Sequence, residues 1–212
     1  MRDSLSTKNA LLVRTLMSVS GVCIISFAVA LARWLAWGID PFTCFIQGLE
    51  RTTGFSYGIV LAVVMGVFLI VTFLLNKQYI GLATVLTMSL QGVLVNIFER
   101  GLVLLFPNLT LPAKIAVMCV TLFVHCLGAS FYITSNLGVS AYDAISLIMA
   151  DKRIAAYRWC RIATDSVCAL AGFLFHGNIG VLTIVLALCV GPFVSWMNEH
   201  WSQRIIQKFS AA

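Results

Sequence analysis

Asn136-Leu137-Gly138-Val139-Ser140-Ala141-Tyr142-Asp143, a short helical run to Lys152-Arg153, and then Tyr157-Arg158-Trp159-Cys160-Arg161-Ile162-Ala163-Thr164-Asp165 form the stretch on which the fold of this chain turns. It sets Arg158, Arg161 and Asp165 on one helix, which runs on through residues 166–175 with no further charge. The surrounding chain has 212 residues, 60% of them hydrophobic and only 10% charged. An ordinary soluble domain carries about 25% charged residues. Such a chain cannot cover itself with polar surface, so lipid is its solvent, and three ionised groups leading into a span need partners. The net charge of +6 does not point to nucleic acid, because the basic residues sit at span ends rather than in one patch.

Uncharged runs divide the chain into six spans of roughly 20 residues. After the opening stretch, which holds span five at residues 156–175, His176-Gly177-Asn178-Ile179-Gly180 interrupts the apolar run and span six follows at 181–197. Residues 198–209, with Trp201, Arg204, Ile205, Ile206 and Lys208, read as an amphipathic tail at the membrane surface. Upstream lie span four at 115–135, a loop with Pro107, Asn108 and Pro112, span three at 79–98 and span two at 57–75. The triplet Asn108-Leu109-Thr110 matches a glycosylation sequon and is discounted as a frequent chance match. Residues 34–53 are too short and too charged to cross. Asp40 before Pro41 is a helix-start pair, carboxylate at the N-cap and proline at N1, which predicts a short interfacial or re-entrant helix ending near Gly54. Span one, residues 15–32, has 18 uncharged residues, about 27 Å of helix. Its basic leader and Ala-rich end also suit a signal peptide, but the repeat described next requires a retained span. Placing Arg2, Lys8, Arg14, Lys77, Lys152, Arg153, Arg158, Arg161, Arg204 and Lys208 on one side, against Arg33, Arg51, Arg100 and Lys114 on the other, puts both termini in the cytoplasm of a bacterial inner membrane.

The second half repeats the first. At an offset of 100, Gly38 meets Gly138, Tyr57 meets Tyr157, and Phe73-Leu74 meets Phe173-Leu174. At 99, Gly81, Thr84 and Gly92 fall on Gly180, Thr183 and Gly191. These small residues are expected to pack helix against helix. The order of span, glycine with short capped helix, span and glycine-led span occurs twice, over residues 11–100 and 111–200. Three spans per copy send the second through the membrane in the opposite sense, the inverted repeat that many secondary transporters use.

Gly38, Pro41-Phe42, Gln47-Gly48-Leu49 and Thr53-Gly54-x-Ser56-x-Gly58 in the first half, with Gly138-x-Ser140-x-Tyr142-Asp143, Arg161, Asp165, Gly180, Thr183 and Gly191-Pro192 in the second, resemble the YczE/YyaS/YitT-like family of bacterial integral membrane proteins. The resemblance runs from span one to the end of span six. It implies the multi-span fold far more than any chemistry. The chain departs from the family pattern at Thr43, where an acidic residue is usual, and at Asp40, where a serine is usual, so a symmetric pair of acids is not expected. No soluble C-terminal domain of the YitT-like kind is seen, so the YczE-like branch fits better.

The polar residues inside this frame are the candidate site. Ser140 and Asp143 have capping-box spacing; either they only cap the helix, or its N-terminus lies in the membrane and offers its positive end to an anionic or polar group. Arg161 and Asp165, at i and i+4, can pair. Asp165 lies roughly 13 Å into span five, where an unpaired charge costs at least about 2.5–3.5 kcal/mol. The pair is then either a packing device or a substrate or coupling-ion site. Arg158 shares the face and is expected to snorkel to the cytoplasmic interface. His125 in span four is read as a packing histidine or a proton relay, and Asp40 completes the set. Gln91 and Asn96 read as interhelical hydrogen-bonding groups. Seven cysteines without a Cys-x-x-Cys read as free thiols acting as small hydrophobes. No metal, cofactor or nucleophile–base pair stands out, which makes an enzyme the weakest class. The expectation is an all-α polytopic transporter with lipid and a small solute or anion as partners, a homo-oligomer being left open. The alternative is a membrane accessory or sensor protein.

Overall fold

The computed structural model describes residues 2–106 and 109–210; Pro107 and Asn108, the latter the first residue of the sequon, lie outside them, as do the side chains of Arg2, Lys8 and Phe209. Ten α-helices and no strand are found among the described residues: α1 (Arg2–Leu35), α2 (Pro41–Thr53), α3 (Tyr57–Leu75), α4 (Leu82–Ser89), α5 (Gln91–Leu105), α6 (Leu111–Thr134), α7 (Ala141–Asp151), α8 (Tyr157–Leu174), α9 (Val181–Met197) and α10 (Gln203–Ser210). Four helical runs are long and apolar enough to cross a membrane: Leu11–Leu35, Tyr57–Leu75, Leu111–Thr134 and Val181–Ile206. The pair α4 and α5, bent by 48°, makes a fifth if counted as one span. The outer face of α3 states the reason for the composition. Ile59, Val63, Val67, Ile70 and Leu74 recur every three or four residues and are 52–76% exposed, a stripe that suits acyl chains and not water.

Two expected elements are different. Span three is not one helix over 79–98: a 3-10 turn, Lys77–Tyr79, precedes it, and it breaks at Leu90 and continues to Leu105. The tail at 198–209 is not a separate surface helix. One π turn, Asn198–Ser202, carries α9 into α10, and Ser202 is wholly buried. Ser130 Oγ donates to Asn198 Oδ1 at 2.6 Å, Thr134 Oγ1 does so at 2.9 Å, and Ser130 Oγ lies 2.5 Å from Ser202 Oγ. Those bonds tie the C-terminal helix to α6, and α10 packs beside α1.

α1 and α6 run antiparallel through the middle. A Cβ on Gly21 would meet Tyr132 N at 2.7 Å and one on Gly128 would meet Ile25 N at 2.7 Å, so numbering rises along one helix as it falls along the other. Each long helix then ends in the same kind of turn. Ala36 and Gly38 have φ of 57° and 103°; Asn136 and Gly138, a hundred residues on, have φ of 55° and 88°. Each turn docks on the glycine-led helix of the other half. Leu182 N donates to Trp37 O (3.2 Å) and Ile39 N to Thr183 Oγ1 (3.1 Å); Ala83 N donates to Leu137 O (3.1 Å) and Thr84 Oγ1 to Val139 O (2.6 Å). Gly38 against Gly180, and Gly138 against Gly81, leave no room for a Cβ. Gly81, Thr84, Gly180 and Thr183 are thus packing residues, but they receive a turn rather than a helix face. A Cβ on Gly92 would meet Gly58 only at ordinary van der Waals distance, so no close approach needs a glycine there, while Gly191 seats α9 on the backbone of Arg158 in α8. The short helices reach across as well: α2 packs mainly on α8, and α7 on α3 and α8 alike.

Candidate functional site

Both short helices start at the centre of the molecule. α2 begins as its sequence predicts: Asp40 is the N-cap, its Oδ2 accepting from Thr43 N at 2.9 Å, and Pro41 takes N1. α7 does not begin as predicted. Ser140 is at the N-cap position but makes no capping bond, its hydroxyl instead pointing at Met65 Sδ, 3.8 Å away. Asp143 is turned to α8, where Arg161 Nη1 donates to its Oδ1.

Arg161 therefore joins two carboxylates rather than one. Its Nε donates to Asp165 Oδ2 at 3.2 Å, the expected i, i+4 pair. Tyr142 completes the cluster: its hydroxyl donates to Asp165 Oδ1 at 2.5 Å, and its ring lies under the Arg161 guanidinium at 4.8 Å. On its other side the ring stacks on Phe42, with centroids 4.4 Å apart. Phe42 and Tyr142 hold equivalent positions a hundred residues apart, so the line where the two halves meet passes between them. Asp165 is 1% exposed. Its depth leaves Arg161 and Tyr142 to satisfy it in place of water.

Beside this cluster is a cavity of about 30 Å³, measured as space for the centre of a water molecule, enough for one or two waters. Its lining includes Asp40, Thr43, Thr87 and Gln91 from the first half and His125, Tyr132, Ser140, Asp143 and Arg161 from the second, every one of them buried. Asp40 Oδ1 and Tyr132 Oη are buried without a hydrogen-bond partner. Six of the seven expected residues, Asp40, His125, Ser140, Asp143, Arg161 and Asp165, thus meet at one place. Arg158 does not: it is exposed, beside Trp159. Tyr132 and Tyr142 were missed. Tyr142 had a signal, since it lies in the opening motif opposite Phe42; Tyr132 had one only in its spacing of seven from His125, two turns along one helix face.

Toward one end of α1 lies a second polar group. Arg33 Nε donates to Glu99 Oε2 at 2.8 Å, Glu50 is 3.8 Å from the same guanidinium, and Tyr57 lies 4.6 Å beneath it. Arg33 thus draws Glu50 of α2 and Glu99 of α5 into one network. Beyond the opposite end of the site, Tyr79 donates to Asp151 Oδ2 at 2.5 Å. Burial and the Asp151 carboxylate both push the Tyr79 phenol up, keeping it a donor. All seven cysteines are free, and among the described residues no group of three His, Cys, Asp or Glu is arranged to hold a metal ion.

Lipid-facing helices around a buried ionised seam define a polytopic α-helical membrane protein. The chain belongs to DUF6198, a family of unknown function, whose model matches residues 12–199. It is 25% identical over 190 residues to the uncharacterized membrane protein YczE of Bacillus subtilis (strain 168), covering 87% of this chain and 85% of that one, as the YczE-like motifs implied. It is also 23% identical over 159 residues to an uncharacterized protein of Haemophilus influenzae, covering 75% of this chain and 71% of the other. No solved structure matches.

Proposed function

We propose that this is a bacterial inner-membrane transporter of a small polar solute, with six spans arranged as a three-plus-three inverted repeat and both termini in the cytoplasm. α8, span five in chain order, brings the number of spans to six. Its 18 residues reach about 27 Å, Arg161 and Asp165 are buried, and Val167, Leu170, Phe173 and Leu174 are more than 60% exposed. The antiparallel α1 and α6, the repeated turns at 36–38 and 136–138 and the exchanged short helices support the inversion.

One observation carries the transport reading: the seam encloses three carboxylates, Asp40, Asp143 and Asp165, with Arg161 as the single guanidinium among them. A pair serving only to fix packing needs no second and third carboxylate and no cavity. Asp40 already meets the N-terminus of α2, and three carboxylates outnumber the one guanidinium, so the surplus negative charge favours a cationic or neutral solute over an anion. A cavity of about 30 Å³ with buried walls suits a closed conformation, in which the Arg33–Glu50–Glu99 group and the Tyr79–Asp151 bond would be the contacts that open on either side.

The test needs no known solute. In a cysteine-depleted background, Ser140→Cys should react with a membrane-impermeant thiol reagent from either face of oriented vesicles, at rates that fall when Asp165→Asn is added. Reaction from neither face, in a folded protein, favours the accessory or sensor reading, in which the charges are sealed.

A further inference from the structure

We infer that the cavity between Asp40 and Tyr132 is a binding site for one monovalent cation, a proton or a sodium ion. Asp40 is nine-tenths buried. One of its carboxylate oxygens caps α2 through Thr43 N, 2.9 Å away, while the other faces the cavity with no partner. Tyr132 Oη, from α6 in the other half, is buried and equally unpartnered on the same cavity. An ionised carboxylate so placed leaves a buried polar oxygen unsatisfied, which burial alone makes costly. The charged and titratable groups around it are His125 and Tyr132 from α6, Tyr142 and Asp143 from α7, Arg161 and Asp165 from α8, Tyr57 from α3 and Cys44 from its own helix α2. Arg161 is committed to Asp143 and Asp165, which leaves Asp40 without an ion-pair partner of its own.

A single positive charge in the cavity resolves both orphans. The space of about 30 Å³ admits an ion the size of a water molecule and excludes an organic solute. A sodium ion lying between them would take Asp40 Oδ1 and Tyr132 Oη as oxygen ligands; a proton would sit on Asp40, whose hydroxyl then donates to a water shared with Tyr132 Oη. Half-helix termini around a midplane ion recur in transporters built from inverted repeats. As a coupling ion the cation rests on the transport reading; as a bound ion it does not, and the experiment reads binding alone.

The full chain purified in detergent is compared with Asp40→Asn, chosen because asparagine caps a helix as well as aspartate. If the ion is sodium, replacing choline chloride by sodium chloride at equal ionic strength raises the wild-type Tm in proportion to the logarithm of concentration once the site fills, and Asp40→Asn abolishes the rise. If it is a proton, sodium has no effect, and infrared spectra show a protonated-carboxyl band that titrates with pH in the wild type and is missing in Asp40→Asn. Should Asp40→Asn not fold, Tyr132→Phe replaces it and must weaken the sodium response or move the titration. No sodium response and no carboxyl band, or either signal unaltered by both variants, overturns the inference. Intact cation binding in a protein whose cavity opens to neither face counts against transport alone.

Discussion

Arg161→Ala is expected to lower stability by about 3–5 kcal/mol, the cost of leaving buried charge without its partner. The variant removes the guanidinium that Asp143 and Asp165 share and abandons both carboxylates, the second of them 1% exposed. Arg161→Ala combined with Asp143→Asn and Asp165→Asn should recover much of that loss, because neutral amides can be satisfied by Tyr142 and by water entering the vacated space. Thermal unfolding of the detergent-solubilised protein measures both. If the single and triple variants are equally unstable, packing by the arginine stem, and not charge, holds α7 to α8.

The second large effect is expected at the crossed turns. Gly38→Ala places a methyl group 2.6 Å from Gly180 N and 2.6 Å from Thr183 Oγ1, at a φ of +103°. Gly138→Ala does the same against the backbone of Gly81, at +88°. Gly180 and Gly81 cannot rotate away, because each is met at its backbone, and only Thr183 Oγ1 is a side-chain contact. Strain and overpacking together should cost about 3 kcal/mol or more at each site. Gly66→Ala is the control. It lies in mid-helix in α3 with nothing within 4 Å of the added carbon, and should be neutral or stabilise by up to about 1 kcal/mol. Unfolding of the three variants side by side checks the contrast, and equal behaviour would remove the crossed turns as the clasp between halves.

Features that rest on neighbours in the chain were legible beforehand. Asp40-Pro41 starts α2 because N-cap and N1 chemistry is local, and α9 begins at 181 because Gly180 precedes it. The glycines at 38, 81, 138 and 180 were visible as a repeat, though their partners were not, since each meets the opposite half. The same limit explains Asp143. Its spacing from Ser140 suits a capping box, yet a cationic partner 18 residues on, brought close only by packing of α7 on α8, outweighs a backbone N–H. The break at Leu90 had a weak sign in nearby Gly92. The π turn at 198–202 had none, being set by where Asn198 and Ser202 reach Ser130 across the fold. The electrostatics of the site followed from depth in α8 alone, but its surplus of acid needed all three carboxylates in one place.

Two halves crossing the bilayer in opposite senses are tested most directly by the loops that follow α3 and α8, which hold corresponding positions. In a cysteine-depleted full-length protein, Gln78→Cys and His176→Cys both place a thiol at an exposed position. With spheroplasts and an impermeant thiol reagent, His176→Cys should label at once and Gln78→Cys only after the membrane is opened. Labelling of both variants from the same side would contradict the inverted arrangement and, with it, the placing of Asp40, Asp143 and Asp165 at a shared seam.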